Sequence, residues 1–210
     1  MDIGRKIIPL GAIAANCTVL WKDPCQAVIV DPGAEAETVI AFCGEHGLTP
    51  VAILLTHAHF DHIGGIPGLL AKWPGLAVHL APADEAVFTS PLNRWPPEYE
   101  AVERPATLVL DLVEGTKLDF GGLAATVLST PGHTPGSVCF YFAEESLLVS
   151  GDTLFAGSCG RTDFPGCDPR QMEISLQRLS QLPPETLVIP GHGMTTTIER
   201  ERSGNPFMQR

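Results

Sequence analysis

With 210 residues, 44 % of them hydrophobic and 18 % charged, the chain has the composition of one globular domain rather than a fibrous, disordered or membrane-spanning protein. A formal net charge of −11 excludes broad affinity for nucleic acid or an anionic membrane, whose phosphates would repel it. Bound metal cations would offset that field locally and still admit a small anionic substrate.

Six cysteines, Cys17, Cys25, Cys43, Cys139, Cys159 and Cys167, are scattered without a Cys-x-x-Cys pair, in a chain too large to need disulfide staples. Reduced thiols in a cytoplasmic protein are the simplest account. Arg5-Lys6 and the apolar residues 7–15 have the outline of a signal peptide, but Pro9 and Gly11 interrupt the run. No stretch reaches transmembrane length. The expectation is one domain over residues 1–210, without linker or repeat.

Taken in order, residues 7–10, 18–21 and 27–30 read as strands, the last stopped by the turn Asp31-Pro32-Gly33. Ala36, Val39, Phe42 and Cys43 recur at helical spacing, predicting a helix over 35–46 that stops at Gly47. Residues 51–55 form a buried strand, 66–72 a short helix with Pro67 in its first turn, and 76–80 another strand. Prolines 91, 96 and 97 preclude regular structure over 89–104, where Trp95 and Tyr99 offer large contact surfaces. Further strands are predicted at 107–110, 123–128, 138–142, 147–149 and 187–189. Between the last two, Asp168 is a helix N-cap followed by Pro169, and Met172, Leu176, Leu179 and Leu182 form the buried stripe.

The chemistry gathers at the ends of these strands. Thr56-His57-Ala58-His59-Phe60-Asp61-His62 packs four metal-capable side chains into six residues directly after the strand at 51–55. Imidazole nitrogens with a carboxylate suit zinc, iron or manganese better than calcium. In an extended segment His57 and His59 project the same way and can grip one ion, while Asp61 and His62 reach a second. Asp31, Asp152 and His192 likewise follow apolar strands, and His133 sits in the turn Pro131-Gly132-His133-Thr134-Pro135-Gly136. Catalytic groups of layered α/β proteins collect at that edge, where a rigid sheet holds the loops. The inventory is His57, His59, Asp61, His62, His133, Asp152 and His192. One bridging carboxylate among them would hold two ions about 3.5 to 4 Å apart. Asp31 and Thr56 are candidates to orient ligands from behind, although Asp31 could equally cap its turn. His46 and His79, outside the cluster, read as structural.

The run Thr56 to His62 resembles the Thr-His-x-His-x-Asp-His signature of the metallo-β-lactamase superfamily, and the likeness extends over almost the whole chain. It implies an αββα sandwich with the metals at one edge. It assigns His57, His59 and His133 to one ion, Asp61, His62 and His192 to the other, and Asp152 to both. Residues 151–155, 160–166 and 201–207 resemble the glyoxalase II group, and Pro190-Gly191-His192-Gly193 is similar to its short bacterial members, which lack a C-terminal helical domain. The implied activity is hydrolysis of S-lactoylglutathione or a related acyl-thiol by a metal-bridging hydroxide. Two divalent ions would serve, zinc first, with iron or manganese as alternatives. Asp61 and Asp152 would be the catalytic carboxylates. Arg161 stands where a basic residue helps hold glutathione. A tyrosine expected after His192 is replaced by Gly193 and Met194, implying weaker or less selective glutathione binding.

Two other enzyme classes share this implied fold. The segment 160–164 also resembles glutathione persulfide dioxygenases, in which a single iron would sit on His57, His133 and Asp152. True β-lactamases with this histidine pattern lack the aspartate that Asp152 supplies.

Overall fold

The computed structural model describes residues 3–22 and 25–209; residues 1, 2, 23, 24 and 210 of the expected single domain lie outside them. The first half of the chain builds one mixed sheet from β1 (Gly4–Leu10), β2 (Ala15–Trp21), β3 (Gln26–Val30), β4 (Thr49–Leu54), β5 (Ala77–Leu80) and β6 (Leu108–Leu110), in that spatial order. Antiparallel hairpins start it and parallel strands continue it from β3 onward. The crossovers carry α1 (Ala36–Glu45), α2 (Phe60–Ile63), α3 (Ile66–Lys72) and the short α4 (Glu85–Phe88). The second half gives β7 (Lys117–Phe120), β8 (Leu123–Ser129), β9 (Val138–Phe142), β10 (Leu147–Gly151), a small hairpin of β11 (Leu154–Phe155) and β12 (Ser158–Cys159), α5 (Pro169–Leu179), β13 (Leu187–Pro190), β14 (Thr196–Thr197) and α6 (Ile198–Gly204). Its sheet runs β14-β13-β10-β9-β8-β7.

Strand alternation explains why these sheets stack. In β3 and β4, Val28, Val30, Ala52 and Leu54 face the second sheet, while Ala27, Ile29 and Ile53 face α1 and α3. Across the interface Val138, Phe140, Phe142, Leu147 and Val149 fill the same inter-sheet core, and Cys139 and Leu148 turn outward to Met172, Leu176 and Leu179 of α5. Both faces of the central strands are buried, which is why they read as continuous apolar runs. The result is the αββα sandwich, helix layer on sheet on sheet on helix layer. Among the described residues no helix is long and apolar enough to cross a membrane.

Helix ends obey local chemistry. The Asp168 carboxylate accepts from the amides of Arg170 at 2.9 Å and Gln171 at 3.2 Å, and Pro169 opens α5. Leu182, expected in its stripe, lies past the helix end but packs on the same cluster. Several elements differ from expectation. β7 alternates exposed and half-buried positions at a sheet edge, too weak a pattern to register as a strand. The turn 82–84, α4, the β11–β12 hairpin and the β14–α6 segment are each too short for periodicity to show.

The two sheets are also tied at one edge by backbone bonds, Asn16 N–H to Gly191 C=O at 2.7 Å and Val138 N–H to Thr56 C=O at 2.8 Å. β3, β4, β10 and β13 all end there, delivering residues 31, 57, 152 and 192 to a common rim.

The fully buried Phe140 should be a main support of the inter-sheet core. Phe140→Ala is expected to lower unfolding free energy by about 3–5 kcal/mol in urea titration. A loss under about 1 kcal/mol would show that the sheets are held by something else.

Candidate metal centre

Five of the seven histidines and two carboxylates meet at this rim. Donor atoms of His57, His59 and His133 lie within 4.8 Å of one another, and so do those of Asp61, His62 and His192. His59 Nδ1 stands 2.9 Å from His133 Nε2, and His192 Nε2 lies 3.1 Å from Asp61 Oδ2. Asp152 lies between the two triads. Its Oδ1 is 3.5 Å from His62 Nε2, and its Oδ2 is 3.5 Å from His133 Nε2 and 3.7 Å from His192 Nε2. All seven expected ligands therefore come together.

The side chains are aimed by contacts behind them. Asp31, buried and with φ of 51°, accepts from Thr56 N–H at 2.8 Å and from the Thr56 hydroxyl at 2.6 Å, and its Oδ2 is 3.0 Å from His62 Nδ1. The Thr56 hydroxyl spends its proton on Asp31 and can accept from His57 Nδ1–H, 3.1 Å away. Arg161 C=O is 2.8 Å from His133 Nδ1. Each of these three imidazoles thus has its Nδ1 engaged and its Nε2 facing inward, the tautomer control that ligating histidines need. Asp31 also lies within ligand distance of His57 and His62, but its oxygens are committed to Thr56 and His62, so it acts as a brace. Asn16 Nδ2 donates to Pro190 C=O at 2.9 Å and Gly193 C=O at 3.0 Å, fixing the loop that carries His192. Between those carbonyls Gly191 admits no side chain, since a Cβ would run into the Asp152 carboxylate and stand 2.9 Å from His62 Cε1.

The electrostatics suit a cation. Burial pushes the His57 pKa well down, helped by the surrounding imidazoles, and burial with His133 brings His59 down to about 3, so both present neutral lone pairs. Burial would raise the Asp61 carboxyl, but His62 and His192 overcome it and hold the group below the ordinary carboxylate range. His62 and His192 are shifted upward despite burial, His62 by Asp61, Asp31 and Asp152, His192 by Asp61 and Asp152. His57 Nε2, His62 Nε2 and Asp152 Oδ1 are buried without any hydrogen-bond partner. Orphaned polar atoms are costly, and nitrogen and oxygen atoms left unpartnered within these two triads and on the carboxylate between them fit divalent ions.

Other expectations stand differently. The Arg161 guanidinium is directed away, donating to Asp163 at 2.7 and 2.8 Å and lying over the Phe164 ring, so only the Arg161 backbone touches the centre. His79 pairs with Asp111 and His46 with Phe42 C=O, both outside the cluster. Asp84 and Asn93, not anticipated, bind the backbone of the histidine loop. Asp84 comes after β5 as Asp31 comes after β3, so the same strand-end rule reaches it; Asn93 lies in a proline-rich loop and carries no such signal.

Comparison with known proteins agrees with this geometry. The family model of the metallo-beta-lactamase superfamily matches residues 10–192. The chain belongs to the metallo-beta-lactamase superfamily, a group of metallo-hydrolases. It is 40 % identical over 209 residues to "Probable metallo-hydrolase YqgX" of Bacillus subtilis, covering 96 % of this chain and 95 % of that protein. To "Hydroxyacylglutathione hydrolase GloC" of Haemophilus influenzae it is 34 % identical, covering 97 % of each. Among solved structures it is similar to BLEG-1 B3 metallo-beta-lactamase, with TM-score 0.89, 39 % identity, and coverage of 99 % of this chain and 100 % of that one. TTHA1623 in a di-iron-bound form has TM-score 0.86 at 41 % identity, with coverage of 96 % and 99 %. ETHE1 from Myxococcus xanthus has TM-score 0.77 at 26 % identity, with coverage of 99 % and 85 %.

Because Asp31 orients His62 directly and His57 through Thr56, Asp31→Ala should weaken metal affinity about 10- to 100-fold in chelator competition. An unchanged affinity would reduce Asp31 to a turn residue.

Proposed function

We propose that this chain is a dinuclear metal-dependent thioesterase of the glyoxalase II kind, hydrolysing S-lactoylglutathione or a related acyl-thiol. The observation that carries the reading is Asp152, whose carboxylate lies 3.5 Å from His133 of the first triad and 3.5 and 3.7 Å from His62 and His192 of the second, where one shared anion can serve two cations. The full-length likeness to a protein named hydroxyacylglutathione hydrolase supports the choice of substrate class.

His57 and His133 through Nε2 and His59 through Nδ1 would hold one ion; Asp61 with His62 and His192 through Nε2 would hold the other. Zinc suits this nitrogen-rich set, and the di-iron description of a 41 % identical structure makes iron its main competitor. Bound in this way, a metal pair supplies Lewis acidity, making water nucleophilic near neutral pH and polarising the thioester carbonyl. Asp61, a carboxylate that is ionised even before an ion binds, orients the attacking water and steers its proton. Attack at the acyl carbon breaks the carbon–sulfur bond, and the thiolate departs without a strong general acid. Burial of His57, Asp61, His62, His133 and Asp152 limits competing hydration of these charges.

Arg161 contributes only at the periphery in this reading. Its side chain is exposed and paired with Asp163, so binding a carrier carboxylate requires exchanging one anion for another. Such a surface contact is worth at most about 1 kcal/mol, so Arg161→Ala should raise KM no more than about five-fold with kcat unaltered. A fall in kcat instead would place Arg161 in the chemistry.

Two alternatives share the site. The structure described as a B3 metallo-beta-lactamase favours β-lactam hydrolysis as a second reading, by the same attack on a carbonyl. A mono-iron persulfide dioxygenase would use His57, His133 and Asp152 and leave the Asp61, His62 and His192 donors without an ion. Elemental analysis combined with assays on S-lactoylglutathione, other acyl-thiols, a cephalosporin and glutathione persulfide separates the three. The expected outcome is two metal equivalents, thioester turnover and no oxygen uptake. Oxygen consumption with one iron, or faster β-lactam than thioester turnover, would replace this function. Asp152→Ala should abolish hydrolysis and lower the metal content; near-normal turnover at unchanged stoichiometry would refute the shared-ligand role.

A further inference from the structure

A second buried acid joins the two loops that carry the first triad. Asp84, fully buried at the end of the 82–84 turn, accepts through Oδ2 from Ala58 N–H and from the Thr134 hydroxyl, each at 2.9 Å, and through Oδ1 from Gly136 N–H at 2.7 Å. Ala58 lies between His57 and His59, while Thr134 and Gly136 come just after His133. The other side of the Ala58 residue is held as well: Asn93 Nδ2 donates to Ala58 C=O at 2.7 Å, from a buried position in the 89–104 loop. Thr134 is further fixed by Ser137, whose Oγ lies 2.8 Å from its hydroxyl and accepts its amide at 3.1 Å. Gly136 leaves room for this arrangement, since a Cβ there would stand 2.6 Å from the Asp84 amide nitrogen.

We propose that Asp84, assisted by Asn93, is a positioning residue that sets the separation of the His57–His59 segment from His133 and thereby the affinity of the first metal position. The inference rests on the metal reading above. A buried carboxylate is costly and is retained only where several donors satisfy it. The three donors bonded to Asp84 come from the two ligand loops. Charge-assisted bonds of this kind are short and directional, so they fix the loops relative to one another more tightly than apolar packing would. With His59 Nδ1 and His133 Nε2 only 2.9 Å apart, a small shift of either loop changes how both address one ion. The second triad, on α2 and the His192 loop, does not contact Asp84 through any of these bonds, so the effect should be confined to one of two positions.

Cobalt(II) titration of the metal-free full chain, monitored by its visible absorption bands and by competition with a chelator, tests this. The wild type should take two equivalents. Asp84→Asn, in which an amide group must face a donor, should keep one equivalent at wild-type affinity and weaken the other about 10- to 100-fold. Adding Asp61→Ala to that variant should then abolish the remaining tight equivalent. Equal weakening of both, accompanied by a matching fall in the denaturation midpoint of the metal-free protein, would assign Asp84 to general stability and overturn the proposal. So would unchanged binding of both. If Asp84→Asn does not fold, Thr134→Val and Thr134→Ser decide: loss at one position with valine and retention with serine supports the brace, and identical behaviour of the two overturns it. A wild type taking a single equivalent would count against the two-ion reading and not against the brace, which is then judged by whether Asp84→Asn weakens that equivalent.

Discussion

Crowding of like donors is the constraint on which the rest of the molecule depends. Five imidazoles and two carboxylates gather at one sheet edge, all but His59 and His192 of them buried, with His57, His62 and Asp152 each leaving a buried atom unpartnered. In the absence of a cation such an assembly is unfavourable, because desolvated polar groups without partners destabilise a fold. The surrounding structure is therefore built to keep these groups in place against their own preference. Two stacked sheets supply rigidity, and the bonds joining Asn16 to Gly191 and Thr56 to Val138 lock the sheets together at the edge where strain would concentrate.

Behind the donors stands a layer of acids and amides whose polar atoms are committed to orienting them. Asp31 gathers Thr56 and His62, Asn16 secures the His192 loop, and Asp84 with Asn93 grips the loop between His57 and His59. Each satisfies its own hydrogen-bonding capacity with the groups it orients, so orientation and burial are achieved by the same bonds. The contrast with Arg161 is instructive. Its guanidinium is exposed and engaged with a neighbour two residues away, whereas its carbonyl, a group present in any residue, is the part that reaches His133. Paired with Asp163 at the surface, the guanidinium is spoken for by an anion already present.

Much of this is legible in the sequence because strand burial and chemistry coincide. Apolar runs such as Val28–Val30 and Leu147–Val149 are buried on both faces, so they stand out, and each leads within a few residues to a polar side chain at the rim. The donors can be read from those strand ends, the 56–62 run and the turn around His133, while the layered architecture follows from the resemblance of the 56–62 run to the family signature. Short elements escape because they carry fewer than two periods: α2 reads as a turn, and the β11–β12 hairpin is held largely by Asn205 and Glu201, which are distant in sequence. Asp84 follows β5 and falls under the same strand-end rule, but its partner Ala58, like that of Asn93, is fixed by which backbone groups a crossover brings near, and no local pattern encodes a partner 26 or 35 residues away.

The central claim is that two cations share Asp152. Anomalous diffraction from crystals of the metal-loaded protein, recorded at the absorption edge of the bound element, tests it most directly. The account predicts two peaks about 3.5 to 4 Å apart, one against His57, His59 and His133 and one against Asp61, His62 and His192, with the Asp152 carboxylate reaching both. A single peak, or two peaks of which only one touches Asp152, would contradict it.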